Sequence, residues 1–262
     1  MSRMSARLSL LLAASLAVAS PARAGGTLTG IVRVERAPAK AAPLAVVKDA
    51  SVCGKEVPDE AVVVSAHRGL ANVVVSIRGL KPPQAPAPAP TTAPTKAPTT
   101  APTTASTTNA SVDQLGCRYR PHVQAVPLGT RLALVNSDAV LHNVHASLEE
   151  GSRSVTVFNL AMPFKGQTLP AVLKRTGIMK LRCDAGHTWM SAYVAVFDHP
   201  YFAVTDGQGR FTIRDLPPGE HTLELWHEPV GQQGGAGTPV VTTAVVRISD
   251  GNVTTVEPTL EL

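Results

Sequence analysis

The residues able to do chemistry are crowded into one short stretch. Leu181-Arg182-Cys183-Asp184-Ala185-Gly186-His187-Thr188-Trp189-Met190 holds a thiol, an imidazole and a thioether. A second imidazole, His142, lies upstream in Leu134-Val135-Asn136-Ser137-Asp138-Ala139-Val140-Leu141-His142-Asn143-Val144. One cysteine, two histidines and a weakly bound methionine form the donor set of a mononuclear copper centre. The thiolate is soft and stabilises copper in either oxidation state. Two neutral imidazoles, His142 and His187, complete a plane with Cys183, and Met190 binds weakly along the axis. Asn136 and Asn143 are polar residues of the type that ties a ligand strand to a neighbouring loop and orients it.

Each residue also has a plainer reading. A lone buried cysteine is usually a small hydrophobe, and only its company with His187, Met190 and the upstream His142 favours a metal. His145 is a tempting extra ligand. On a strand, however, side chains alternate between faces, and His145 points away from His142. Trp189, between two ligands, reads as a packing residue covering the metal. His67, His199, His221 and His227 are scattered and read as surface or packing residues. No further histidine cluster of the kind a multicopper enzyme needs is visible, so an enzyme is the least favoured class.

Residues 1–24 have the form of a secretory signal. Arg3 and Arg7 make a positive start, Leu8 to Val18 an apolar run, and Ala22-Arg23-Ala24 a small-residue cleavage site. The run is too short to span a bilayer, and no later segment is apolar enough for a membrane helix. The expectation is a periplasmic or secreted protein without a membrane span. Losing Arg3, Arg7 and Arg23 with the leader lowers the formal charge from +5 to +2, which leaves no support for nucleic acid as a partner. Of three cysteines, Cys183 is the candidate ligand. Cys53 and Cys117 are then available to pair in an oxidising compartment, the alternative being two free thiols.

Behind these residues the chain reads as all-β. Gly30 to Val34, Ala61 to Val64 and Asn72 to Ile77 are β-branched runs bounded by turn residues. Val123 to Val126 and Arg131 to Asn136 flank Pro127-Leu128-Gly129-Thr130 and read as a hairpin. Counting back from that turn sets Asn136 near His122. His122 is therefore expected at the metal end, in the plainer and favoured reading as a partly exposed strand histidine, in the other as an imidazole near the site that titrates between about pH 5 and 8. Lys180 to Arg182 and Ala192 to Phe197 enclose the ligand loop. A short turn is expected near Ala161 to Lys165. Lys81 to Ser111 repeats Ala-Pro-Thr with period four. Its prolines fix φ and remove backbone donors, so it reads as an extended spacer.

Two patterns resemble the cupredoxin family. Asn136-Ser137-Asp138 followed by His142-Asn143-Val144 is similar to the segment carrying that family's first histidine ligand. Cys183…His187…Met190 is similar to its ligand loop, with three residues between cysteine and histidine. The resemblance runs from about Gln114 to Asp198. It implies a Greek-key β-sandwich, copper as cofactor, and electron transfer to a redox partner protein in the cell envelope. The tail, Thr205-Asp206-Gly207-Gln208-Gly209-Arg210-Phe211-Thr212-Ile213 and then Leu216-Pro217-Pro218-Gly219, resembles the carboxypeptidase regulatory-like family, a transthyretin-like sandwich. That fold needs more strands than the tail supplies. Gly25 to Val34 and Gly69 to Ile77 look like the missing ones, which would place the copper domain inside a discontinuous sandwich or joined to it; the alternative is a free-standing N-terminal strand set belonging to the copper domain. The expected order is a signal peptide at 1–24, N-terminal regulatory-like strands at 25–80, a linker at 81–113, the copper domain at 114–199, and the rest of the second sandwich at 200–262. The favoured function is a one-electron carrier. A copper-delivery protein and a structural envelope-interaction module are the alternatives.

Overall fold

The computed structural model describes residues 25–36, 41–81, 110–150, 153–230 and 237–262. The signal-peptide reading and residues 82–109 of the spacer lie outside them. Two groups of sheets account for most of the rest. In the first, a five-stranded sheet runs in the order Arg153–Met162, His142–Glu150, Gly177–Arg182, Ser191–Phe197, Val123–Pro127. It faces a four-stranded sheet in the order Gln167–Val172, Arg131–Asn136, Ser111–Gln114, Tyr119–Arg120. We call this the inner sandwich. Its core is one cluster that includes Leu132, Leu134, Val144, Ala146, Met179, Leu181 and Val194.

The strands follow their hydrophobic patterns. Arg131–Asn136 alternates outward and inward, with Leu132, Leu134 and Asn136 buried, as a strand with one wet face must. His142–Glu150 is buried over its first seven residues, because it lies within the sheet with both faces covered. The expected hairpin is not formed. Val123–Pro127 pairs in parallel with Ser191–Phe197, whereas Arg131–Asn136 pairs with Gln167–Val172 and Ser111–Gln114. The turn between them crosses from one sheet to the other, so each strand buries its apolar side from an opposite layer. The strand Ser111–Gln114 begins inside the range read as linker, which ends at residue 113, and its Val112 and Gln114 are fully buried. Ala61 to Val64 forms no strand, only a bridge from Val64 to Leu70. The strand Arg153–Met162 runs through the first part of the expected turn, which is confined to the residues that follow.

The outer sandwich is built from chain segments on either side of the inner one. Gly26–Ile31 lies between Arg210–Leu216 and Val253–Val256. Val74–Arg78 lies between Phe202–Val204 and Gly219–His227, and Val240–Ile248 completes that sheet. The Asp206–Gly209 turn shows why small residues recur here. Asp206 Oδ1 accepts the amides of Gln208 and Arg210, and Gly209 has φ 77°. A Cβ on Gly209 would sit 2.5 Å from the Val32 carbonyl oxygen, so this close crossing excludes other residues.

The segment between these N-terminal strands belongs elsewhere. Leu44–Ala45 and Glu56–Val57 form a two-stranded ribbon around the short helix Ala50–Cys53. Leu44, Val46, Cys53 and Val57 pack into the core of the inner sandwich. A disulfide joins Cys53 to Cys117 in the same place. This strap is therefore part of the inner sandwich, although its sequence lies within the 25–80 range read as outer strands. Where the two sandwiches meet, Val123, Tyr193 and Ala195 of the inner one pack on Val74 and Trp226 of the outer one. The Tyr193 and Trp226 rings meet edge to face at 5.1 Å.

Candidate metal centre

Three elements bring the donor residues together. His142 opens the strand His142–Glu150 after a loop whose path is set by Asn136. The Asn136 amide donates to the carbonyls of Val140 and Met162 at 3.0 and 2.8 Å, and its Oδ1 accepts the Asp138 amide at 3.0 Å. Cys183 follows directly on the strand Gly177–Arg182, which pairs with His142–Glu150. The chain then turns through Gly186, at φ 96°, to reach His187 before returning as Ser191–Phe197. Asn143 ties the two ligand segments together. Its Oδ1 accepts the Asp184 amide at 2.7 Å, and its Nδ2 donates to Asn159. Asn136 thus shapes the first ligand loop, and Asn143 crosses from the His142 strand to the cysteine loop.

His142, Cys183 and His187 converge in the interior. The two Nδ1 atoms lie 3.1 Å apart, and the Cys183 Sγ is 3.5 Å from His187 Nδ1. Both imidazoles are fully buried, and Cys183 is 5% exposed. Met190 is buried in the same cluster as Cys183, and its amide donates to the His187 carbonyl. Trp189 covers the loop. Its ring meets His187 edge on at 5.2 Å, and its Nε1 donates to the Cys117 carbonyl.

The outer nitrogen of each imidazole is held by a carboxylate. His142 Nε2 donates to Asp138 Oδ2 at 2.9 Å, and His187 Nε2 donates to Asp49 Oδ2 at 2.9 Å. Each ring therefore turns the lone pair of its Nδ1 inward. Two lone pairs at 3.1 Å beside a thiol, with no water-facing edge, make an arrangement that a bound cation satisfies and an empty apolar core does not. Burial, reinforced by the neighbouring His187, holds the His142 pKa below its ordinary value despite the Asp138 carboxylate. His142 is thus neutral and able to donate to a metal. Burial raises the Cys183 pKa, while hydrogen bonds from the Ala185, Asn143 and His187 amides to its sulfur oppose the rise. Those three amides would stabilise the thiolate form that a metal requires. The set of one thiol, two imidazoles and a nearby thioether fits copper by ligand softness and number.

Asp138 and Asp49 were missed in the sequence reading. Asp138 sits in the motif of the first ligand, yet acidic residues in loops are too common to single out. Its carboxylate also accepts the amides of Gly116 and Cys117 at 2.9 and 2.7 Å, which anchors the turn carrying the disulfide. Asp49 is 138 residues from His187 and has no sequence signal at all. A second grouping of Cys117, Asp138 and His142 is explained by those hydrogen bonds, since the Cys117 sulfur is bonded to Cys53.

The other histidines are engaged elsewhere. His145 bonds Asp184 at 2.6 Å and Thr156 at 2.8 Å. The hairpin count used for His122 does not hold, because its two strands lie in different sheets. His122 Nδ1 donates to the carbonyl of Ser191, the residue after Met190, and its Nε2 meets Glu228 of the outer sandwich. Its ring thus spans the junction between the sandwiches.

No protein-family model and no curated protein matches the chain. Among solved structures, 34% of the chain is similar to a novel purple cupredoxin from Nitrosopumilus maritimus, at 24% identity over 99% of that chain and a TM-score of 0.29. The same share is similar to an oxidised amicyanin variant, at 25% identity over 81% of that chain and a TM-score of 0.29. It is also similar to a copper-containing nitrite reductase from Thermus scotoductus SA-01, at 20% identity over 22% of that chain and a TM-score of 0.28.

Proposed function

We propose that this protein is a cupredoxin-type one-electron carrier in which His142, Cys183, His187 and Met190 would hold a single copper. The observation that carries the reading is the inward convergence of two carboxylate-held imidazoles on one buried thiol. Copper would supply the exchange of one electron, and the chain holds the donors that would bind it. Asn136, Asn143 and the two carboxylates fix that geometry through hydrogen bonds that do not involve solvent. Burial keeps water from the site and limits rearrangement.

The partner proposed is a redox protein of the cell envelope. Leu141, beside His142, and Phe164, on the neighbouring turn, are 45% and 70% exposed. They give an apolar approach close to a ligand. The leader-like residues 1–24 support export to the periplasm or beyond. Among the described residues no helix is long and apolar enough to cross a membrane.

The test is the absorption spectrum and voltammetry of the copper-loaded mature protein. A visible thiolate-to-copper band with a reversible one-electron wave is expected. Copper binding without either would overturn the reading.

A further inference from the structure

We propose that Asp49 is a positioning residue for His187, and that the strap from Leu44 to Val57 forms a wall of the metal centre. Metal retention then belongs to the strap and sandwich together. This inference rests on the copper reading above.

Four observations converge on the strap. First, Asp49 Oδ2 accepts from His187 Nε2 at 2.9 Å, and His187 is fully buried. Second, Asp49 occupies the N-cap position of the helix Ala50–Cys53, where an aspartate ordinarily accepts a backbone amide of the first turn. Here the side chain makes no capping bond, and it reaches the imidazole instead. Third, Asp49 has φ 54°, a left-handed conformation uncommon outside glycine. Such backbone states persist where surrounding structure over-determines them, and they gather at functional sites. Fourth, the strap is tied to the ligand loop on both sides of this contact. Lys48 Nζ donates to the Ala185 carbonyl at 2.6 Å, between Cys183 and His187. Cys53 is bonded to Cys117, whose carbonyl accepts from Trp189, between His187 and Met190.

The chemistry follows from the charge. A carboxylate on Nε2–H fixes the tautomer and ring orientation of an imidazole and makes Nδ1 a stronger donor. Asp138 does this for His142 from within the inner sandwich. Asp49 does it for His187 from the strap itself. Stronger donation stabilises the more highly charged oxidation state of the metal. Removing the carboxylate therefore weakens binding and raises the reduction potential.

The test compares the full mature chain with Asp49→Ala and Asp49→Asn. Copper(II) affinity is measured by competition with a chelator of known strength, and the potential by voltammetry. We expect about a 10- to 100-fold loss of affinity in Asp49→Ala, a smaller loss in Asp49→Asn, and a higher potential in both. The thermal midpoints of the metal-free proteins serve as the control for a merely structural role. If Asp49→Ala does not fold, the near-isosteric Asp49→Asn decides. Unaltered affinity and potential in the variants, with normal copper binding by the unaltered protein, would overturn the role of Asp49 and leave the copper reading intact. Failure of the unaltered protein to bind copper would overturn both.

Discussion

At the scale of single residues, the site depends on one sulfur. Cys183 lies 3.5 Å from His187 Nδ1 and is the only cysteine outside a disulfide. Replacing it with serine should abolish the visible charge-transfer band of the copper form, because an alkoxide is a harder and weaker donor. Met190→Leu should keep the band and shift the potential, since a weakly bound axial thioether tunes the energy more than it holds a metal. Spectra of both variants check this, and a band that survives in Cys183→Ser would remove Cys183 from the site. Asn136 is fully buried and makes three hydrogen bonds. Asn136→Ala leaves two carbonyls and an amide unpaired and should cost about 2–3 kcal/mol, read from urea unfolding of the metal-free protein.

At the scale of elements, the strap and its disulfide decide how the N-terminal segment is held. Cys53 and Cys117 are 64 residues apart in sequence. Closing a loop of that length contributes about 4 kcal/mol in the chain-entropy model. The double substitution Cys53→Ala with Cys117→Ala should lower the unfolding free energy by that order. Peptide mapping without reductant should recover the two cysteines in one linked pair; alkylation of both thiols would end the assignment. The strap also buries Leu44, Val46 and Val57 against the inner core, so its detachment would expose apolar surface as well as His187.

At the scale of the whole molecule, a buried ion pair joins the two sandwiches. His122 of the inner one and Glu228 of the outer one are 8% and 1% exposed. Burial alone would lower the His122 pKa, but the Glu228 hydrogen bond and charge overcome it, and the net direction is upward. Glu60, His227 and Lys180 contribute to the same electrostatic neighbourhood. A raised histidine pKa in the folded state stabilises the fold fully below the ordinary value near 6.5. That contribution fades as pH rises through the raised folded value. The His122 contribution to the stability of the metal-free protein should therefore fall on going from mildly acidic to alkaline pH, against the opposite trend from His142, His199 and His227, whose pKa values burial lowers. His122→Leu leaves a buried carboxylate unpaired, should cost about 3–5 kcal/mol, and should flatten this part of the profile. An unchanged slope in that variant would assign the pH dependence to other groups.

The candidate ligand residues were legible in the sequence because their types are rare and their order is constrained. Thiol, imidazole and thioether in one loop, with a histidine upstream beside asparagines, have few other uses. The all-β class was legible for a similar reason, since β-branched runs between turn residues declare their period locally. Other features depend on contacts that no local pattern encodes. The turn at Pro127 to Thr130 looks like a hairpin until the apolar faces of its two strands choose opposite sheets. His122 is an ordinary strand histidine until Glu228 meets it across 106 residues. Asp49 is one acid among many until the strap folds over the ligand loop. Residue types and their order along the chain set which atoms are available to hold a metal and that strands would carry them. Which carboxylates orient those atoms and which segments enclose them follows from packing in three dimensions, because long-range pairing depends on the burial of whole faces and not on the residues nearest in the chain.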